Sequence, residues 1–265
     1  MIKTSNRFKA DRLKVRIHES RLLMGEGAAL NLTEEIKELM TKQAFVNIIF
    51  AAAPSQNEFL AALIRQKGID WNRTNAFHMD EYIGLDKSHP GLFGNFLKDR
   101  LFDKVPFNKV HYLNGNAEDP NAECRRYSDL LNEYPADIVC MGIGENAHLA
   151  FNDPHVADFK DPLLVKTVDL DKVSRRQQVN DGCFAAIDEV PVSAITLTVP
   201  ALLRANAVYC IVPGINKAKA VYHTLYAEVS EQYPSTSLRK HPHATLYLDK
   251  ESAVKINKDH STLNF

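Results

Sequence analysis

Asp137-Ile-Val-Cys-Met-Gly-Ile-Gly-Glu-Asn-Ala-His-Leu-Ala-Phe-Asn-Asp-Pro154 is the stretch that decides the fold. Ile138 to Met141 is a continuous apolar run, as expected of a short strand buried on both faces. It stops at Gly142 and Gly144, which permit a tight turn. Asn146, His148 and Asp153 then follow within eight residues. Strand, glycine turn and clustered polar groups is how an α/β sheet presents reactive residues at the carboxyl ends of its strands. On spacing alone, a turn leading into a polar loop with one surface histidine fits equally well.

Working outward, strand-like and helix-like segments alternate. Val46 to Phe50 reads as a strand buried on both faces. Asn57 to Lys67 reads as a helix, with Phe59, Leu60, Leu63 and Ile64 on one side. Ala76 to Met79 is a further strand, and Gly91 to Phe102 carries apolar residues at helical spacing. A polar helix over Glu118 to Tyr134 precedes the decisive strand. Strands over Ala194 to Val199, Ala207 to Val212 and Ala244 to Leu248, with a helix over Lys217 to Val229, complete the series. The alternation predicts an α/β fold: a doubly wound, mostly parallel, Rossmann-like sheet with helices on both faces. Residues 1–265 read as a single domain, since no repeat or low-complexity linker divides them. Residues 155–192 show little strand pattern and are a candidate mobile flap.

Composition excludes several classes of function. The net charge of -1 leaves no excess of basic residues for nucleic acid or an anionic membrane. The longest apolar runs are strand-length, too short for a membrane helix. Met1 to Arg12 is polar and basic, unlike a secretory signal. The cysteines at 124, 140, 183 and 210 have no paired spacing for zinc or a disulfide framework, so a reducing cytoplasm is expected. Exposed apolar helix faces are candidates for homo-oligomer contacts.

A second strand end, Asn75-Ala-Phe-His-Met-Asp-Glu-Tyr82, also finishes in carboxylates. Together with Leu113-Asn-Gly-Asn-Ala117 and Gly142 to Pro154, it resembles the glucosamine-6-phosphate deaminase family, from about Ala44 to about Asp249. The Met79-Asp-Glu-Tyr82 and His148-Leu-Ala-Phe-Asn152 pieces are specific, and the related 6-phosphogluconolactonases look different at both. The resemblance implies a sugar-phosphate substrate and conversion of glucosamine 6-phosphate and water to fructose 6-phosphate and ammonia. That chemistry needs ring opening, proton transfer from C2 to C1, and imine hydrolysis. Acid–base groups suffice, so no metal or organic cofactor is expected. Asp80 matches the proton-shuttling carboxylate; as a bare sequence feature it would read as a helix N-cap or turn acid. Glu81 is a candidate for supporting Asp80 at the substrate, or for pairing structurally. His148 matches the ring-opening histidine, an imidazole being suited to proton exchange near neutral pH.

The chain departs from the family pattern at several points. Many members carry Asp-Gly-His where this chain has Asn146-Ala147-His148, and Glu where it has Asp153. Asp153 keeps the charge with a reach shorter by about 1.5 Å, and is expected to be the main partner of His148, with Asn146 only orienting it. Ala147 puts a Cβ where a positive φ angle would call for glycine. For phosphate, the turn after the first strand is Ala51-Ala-Ala-Pro-Ser-Gln56, where Pro54 has no N–H to donate. Ser55 is the remaining side-chain ligand there, or else simply a helix cap. Lys217 aligns with a family phosphate lysine, and Arg175 or Arg176 with a phosphate arginine. His241-Pro-His243 invites a metal reading, but no cysteine or acid stands nearby at ligand spacing. Three readings stay open: an amino-sugar-phosphate deaminase, a lactone hydrolase that needs no C2 proton shuttle, and a non-catalytic sugar-phosphate sensor. Ammonia release dependent on Asp80 separates the first from the other two.

Overall fold

The computed structural model describes residues 4–256. An N-terminal hairpin, β1 (Thr4–Ala10) and β2 (Leu13–His18), leads into a long helix, α1 (Arg21–Met40). Ser20 caps α1 by accepting the Leu23 N–H. Gly25 lets α1 press on the next helix, because a Cβ there would lie 2.7 Å from the Glu58 carbonyl carbon. The chain continues through β3 (Val46–Phe50), α2 (Asn57–Leu63), β4 (Thr74–His78), the short β5 (Asp80–Tyr82), α3 (Phe93–Leu97), β6 (Lys109–His111), α4 (Pro120–Glu133) and β7 (Ile138–Met141). Then come β8 (Val165–Asp169), α5 (Lys172–Asn180), β9 (Ser193–Leu197), α6 (Val199–Leu203), β10 (Ala207–Val212), α7 (Ala218–Tyr226) and β11 (Ala244–Asp249).

Eight strands form one sheet in the order β1-β2-β11-β10-β7-β3-β4-β6. All neighbours are parallel except the β1–β2 hairpin. From β3 the chain builds outward through β4 and β6, then returns to β7 and builds the other way. The boundary between β3 and β7, with Ile48 opposite Ile138, is therefore the switch point. Open α/β sheets bind ligands outside the strand ends at that boundary. One face packs on α1 and α2 through Leu32, Ile36, Phe59 and Leu63. The opposite face packs on α4, α6 and α7 through Tyr127, Leu202 and Val221. β3, β7 and β10 are almost wholly buried, which is why they read as apolar runs, interrupted in β3 by Asn47.

Two expectations change. The strand at 194–199 belongs to a separate antiparallel sheet, β5-β9-β8, and not to the parallel one. A four- to six-residue apolar run specifies burial but not partner or direction. Residues 155–192, read as strand-poor, supply β8 and α5. β8 sets buried Val165 and Val168 among more exposed Lys166, Thr167 and Asp169, so its composition is mixed. Among the described residues no helix is long and apolar enough to cross a membrane.

Candidate active site

The strand ends at the switch point surround a small cavity that opens to solvent. Ala51 to Ala53 and Ser55 follow β3, Asp80 follows β4, Gly142 to Gly144 and His148 follow β7, and Lys217 follows β10. Gln177 and Gln178 of α5 close one side. Residues separated by as many as 166 positions, from Ala51 to Lys217, thus share one wall.

Asp80 is 7% exposed and its carboxylate makes no hydrogen bond to the described residues. Burial raises its pKa well above the ordinary value, and the neighbouring Glu81 carboxylate adds to the rise. Its backbone is held by His78, whose Nδ1 lies 2.9 Å from the Asp80 carbonyl while Nε2 accepts the Leu113 N–H at 2.8 Å. Nδ1 therefore carries the ring proton. Burial keeps this imidazole neutral, its pKa pushed down to about 4. His78, which shows no pattern in the sequence, ties the end of β4 to the segment after β6 directly beneath Asp80.

Glu81 does not line this cavity. Along β5 successive side chains point to opposite faces, so Asp80 faces the cavity and Glu81 faces away. The Glu81 carboxylate accepts N–H groups from Tyr82, Phe93 and Gly94 at 2.8–3.0 Å and anchors the start of α3. Burial raises its pKa to about 7, against the pull of those three hydrogen bonds. Its expected substrate contact is corrected to a structural one.

His148 sits inside a tightly folded loop. Ala147 and Ala150 adopt φ angles of 69° and 49°, left-handed values unusual for alanine. The positive φ expected at position 147 is present despite its Cβ. Around Nδ1 of His148 stand Asn146 Oδ1 at 2.7 Å, Ser174 Oγ at 2.9 Å and Asp153 Oδ1 at 3.0 Å. Asn146 Nδ2 donates to Asp153 Oδ1 at 2.9 Å, and the Ser174 hydroxyl donates to the same oxygen. With its other groups so committed, each of the three presents an acceptor to Nδ1. The network therefore assigns the neutral ring's proton to Nδ1 and leaves Nε2 as the free base. Burial acts to raise the Asp153 pKa, but His148, Asn146 and Ser174 outweigh it and hold the carboxyl well below its ordinary range. Asp153 Oδ2 also accepts the Asp171 N–H at 3.1 Å, tying the start of α5 to the site.

Gly144 permits this arrangement. A Cβ there would lie 2.1–2.3 Å from three atoms of the His148 ring, so any side chain displaces the imidazole. Gly144→Ala is expected to lower kcat by about a hundredfold, the effect of a shift near 1 Å in a reacting group. Steady-state kinetics beside a thermal melt checks this, since a well-folded variant with wild-type kcat would contradict it.

Lys217 is 6% exposed, lines the cavity and has no ion pair or hydrogen bond among the described residues. Burial lowers its pKa, with Asp181 and Glu145 pulling the other way. Ser55 lies in a 3-10 turn over Pro54–Gln56. It does not cap α2, whose N-cap residue is Gln56 with no side-chain cap bond. The arginines expected at the phosphate are elsewhere. Arg175 donates to the Val190 and Ile187 carbonyls at 2.7–3.1 Å, and Arg176 is exposed outside the cavity. On a helix, the face that meets the site recurs every three to four residues. Ser174, Gln177 and Gln178 hold that face, so 175 and 176 point away. No motif marks these three residues, and sequence reasoning missed them.

Both ring nitrogens of His241 are engaged within the protein: Nε2 lies 2.9 Å from the Ala205 carbonyl and Nδ1 accepts the His243 N–H at 3.1 Å. Among the described residues no group of three His, Cys, Asp or Glu could hold a metal.

Residues 20–247 match the family model described as glucosamine-6-phosphate isomerases/6-phosphogluconolactonase. A glucosamine-6-phosphate deaminase of Exiguobacterium sp. is 36% identical over 193 residues, 73% of this chain and 74% of that protein. One of Streptococcus sanguinis is 33% identical over 227 residues, 86% of this chain and 93% of that protein. Among solved structures, a monomeric glucosamine-6-phosphate deaminase superposes with a TM-score of 0.82 at 28% identity, covering 91% of this chain and 98% of that one. The 6-phosphogluconolactonase of Thermotoga maritima superposes at 0.71 with 19% identity, over 89% and 99%, a likeness of fold.

Proposed function

The chain belongs to the glucosamine-6-phosphate isomerase/6-phosphogluconolactonase family, and on that premise we propose that it is an enzyme converting glucosamine 6-phosphate and water to fructose 6-phosphate and ammonia. One observation carries the reading: a buried, unbonded carboxylate, Asp80, and an Nδ1-anchored imidazole, His148, face one cavity from two different strand ends. A lactone hydrolase has no use for a second acid–base group placed to serve carbon.

In the proposed reaction His148 Nε2 takes the C1 hydroxyl proton and the imidazolium returns it to the ring oxygen, opening the pyranose. Asp153 and Asn146 stabilise the transient charge through Nδ1. The Asp80 carboxylate then removes the C2 proton; that electron pair forms the C1=C2 bond, the carbonyl pair moves to O1, and O1 takes a proton from the 2-ammonium group to give an enolamine. Asp80 returns the proton to C1, leaving a C2 imine. Water adds to that imine and ammonia departs with a proton, giving the ketone. Lys217 and Ser55 are proposed to hold the phosphate, as an ammonium and a hydroxyl at the distal wall. The protein's own side chains supply every proton transfer. The isomerisation and C–N hydrolysis place it in amino-sugar breakdown, including that of N-acetylglucosamine. The four free thiols suit a reducing, cytoplasmic setting.

The test is ammonia release from glucosamine 6-phosphate and galactosamine 6-phosphate, with solvent deuterium entering C1 of the product. Release with deuterium incorporation is the expected result. Lactone hydrolysis without ammonia from either amino sugar would sink the reading.

A further inference from the structure

Gln178 has no part in the proton transfers, yet it lines the same cavity as Lys217 and Ser55. It is 7% exposed, and its side-chain amide makes no hydrogen bond among the described residues. Gln177 beside it is already occupied: Oε1 accepts the Glu145 N–H at 2.8 Å and Nε2 donates to Asp181 at 3.3 Å. The Gln178 amide offers two N–H donors and a carbonyl with no protein partner among the described residues. Gln178 can satisfy them only toward the cavity.

The charge balance of the cavity shows which end of the sugar it meets. Lys217 is the single lysine or arginine among the lining residues. The Asp80 carboxyl shares the cavity, and the Glu145 and Asp181 carboxylates act on Lys217 from nearby. The Arg175 guanidinium is spent on carbonyls of the 187–190 turn, and Arg176 is exposed. A phosphate ester, carrying close to two negative charges at neutral pH, therefore meets one ammonium. Neutral donors must hold the remaining oxygens, and the Ala51–Ser55 turn has one fewer because Pro54 lacks an N–H.

We infer that Gln178 is a substrate-contacting residue that sets specificity at the phosphate-bearing end of the sugar, donating its side-chain N–H to a phosphate oxygen beside Lys217. The assignment rests on the phosphorylated-substrate reading. It makes the distal subsite an amide-and-ammonium pair in place of a guanidinium clamp, so phosphate is held with less charge compensation. Charge added at position 178 should then change binding in either direction according to its sign.

The experiment measures KM and kcat for glucosamine 6-phosphate, and the Kd of fructose 6-phosphate by calorimetry, in wild type, Gln178→Leu, Gln178→Glu and Gln178→Arg. Gln178→Leu is expected to raise KM and Kd about tenfold or more, the loss of one hydrogen bond to a charged group. Gln178→Glu should raise both further, and Gln178→Arg should lower both by roughly tenfold. In each variant kcat should change far less than KM, whereas mere disturbance of α5, which also carries Ser174, would lower kcat. Unchanged KM and Kd across the three variants, or a fall confined to kcat, overturns the assignment. Calorimetry needs no turnover. Wild-type protein that binds fructose 6-phosphate in a Gln178-dependent way but releases no ammonia would retain this assignment and refute the deaminase reading. Ammonia release with KM indifferent to residue 178 would do the reverse.

Discussion

Asp80→Asn is expected to lower turnover by about a thousandfold or more while raising the stability of the fold. The amide keeps the shape but can neither take nor return a proton, and loss of a positioned acid–base group costs about 10² to 10⁴ in rate. The stability gain has a separate cause. Asp80 is buried without a hydrogen-bond partner, and burial first, then Glu81, raises its pKa in the folded state. A carboxyl whose folded pKa lies above its unfolded value is costly to ionise on folding. That cost is absent below the ordinary carboxylate range and grows as pH rises. The variant should therefore be more stable by about 0.5–2 kcal/mol at neutral pH, the range seen when a functional strain is removed. The gain should vanish as the medium is made acid. Thermal melts of both proteins across pH measure this. A variant less stable than wild type at neutral pH would show that the carboxylate is held by something other than the open cavity. The same raised pKa puts the acid limb of kcat/KM above the ordinary carboxylate range, since turnover needs the ionised form.

Asp153→Asn is expected to lower kcat by about 10² to 10⁴, with a smaller change in KM. Asp153 Oδ1 accepts at His148 Nδ1 and receives the Asn146 and Ser174 donors together. An asparagine could present N–H to Nδ1 and move the ring proton to Nε2, leaving no base facing the sugar. Loss of an orienting aspartate in an Asp–His pair has effects of this size. Asn146 and Ser174 remain to hold the ring in place, so the defect should lie in protonation rather than in ring position. The stability sign is opposite to that of Asp80. The Asp153 pKa is depressed on folding, against the effect of burial, so its contribution is present above the unfolded carboxylate pKa and lost as pH falls through the folded one. The variant should be less stable than wild type at neutral pH, and the gap should close in acid. Wild-type kcat in Asp153→Asn would transfer the orienting role to Asn146 and Ser174.

These opposite signs in two aspartates of one site, Asp80 in the cavity wall and Asp153 buried behind His148, were not legible in the residues themselves. Both are acids near a strand end, and what divides them is the count of donors around each. Local features were legible. β3, β7 and β10 read correctly because strands covered on both faces leave largely apolar runs. The β5–β9–β8 sheet was not, because a short buried run specifies neither its partner nor its direction, and β5 and β9 are as buried as the main-sheet strands. Glu81 was misplaced because strand alternation turns adjacent side chains to opposite faces. Arg175 and Arg176 were misplaced by one to three positions on α5, enough on a helix to leave the site altogether.

By itself the sequence determined the strand–helix alternation behind the parallel sheet, and its family resemblance pointed to Asp80, His148 and the pairing of His148 with Asp153, because apolar runs and motifs are local in the chain. Tertiary structure alone decided which face of α5 closes the cavity. It brought Ser174 to the imidazole, left Gln178 without a partner, used Arg175 elsewhere and made Lys217 the single cation in the wall. The physical reason is that burial, desolvation and hydrogen-bond partners depend on what packs against a side chain. For these residues the neighbours come from other segments, a dozen or more positions away in the chain.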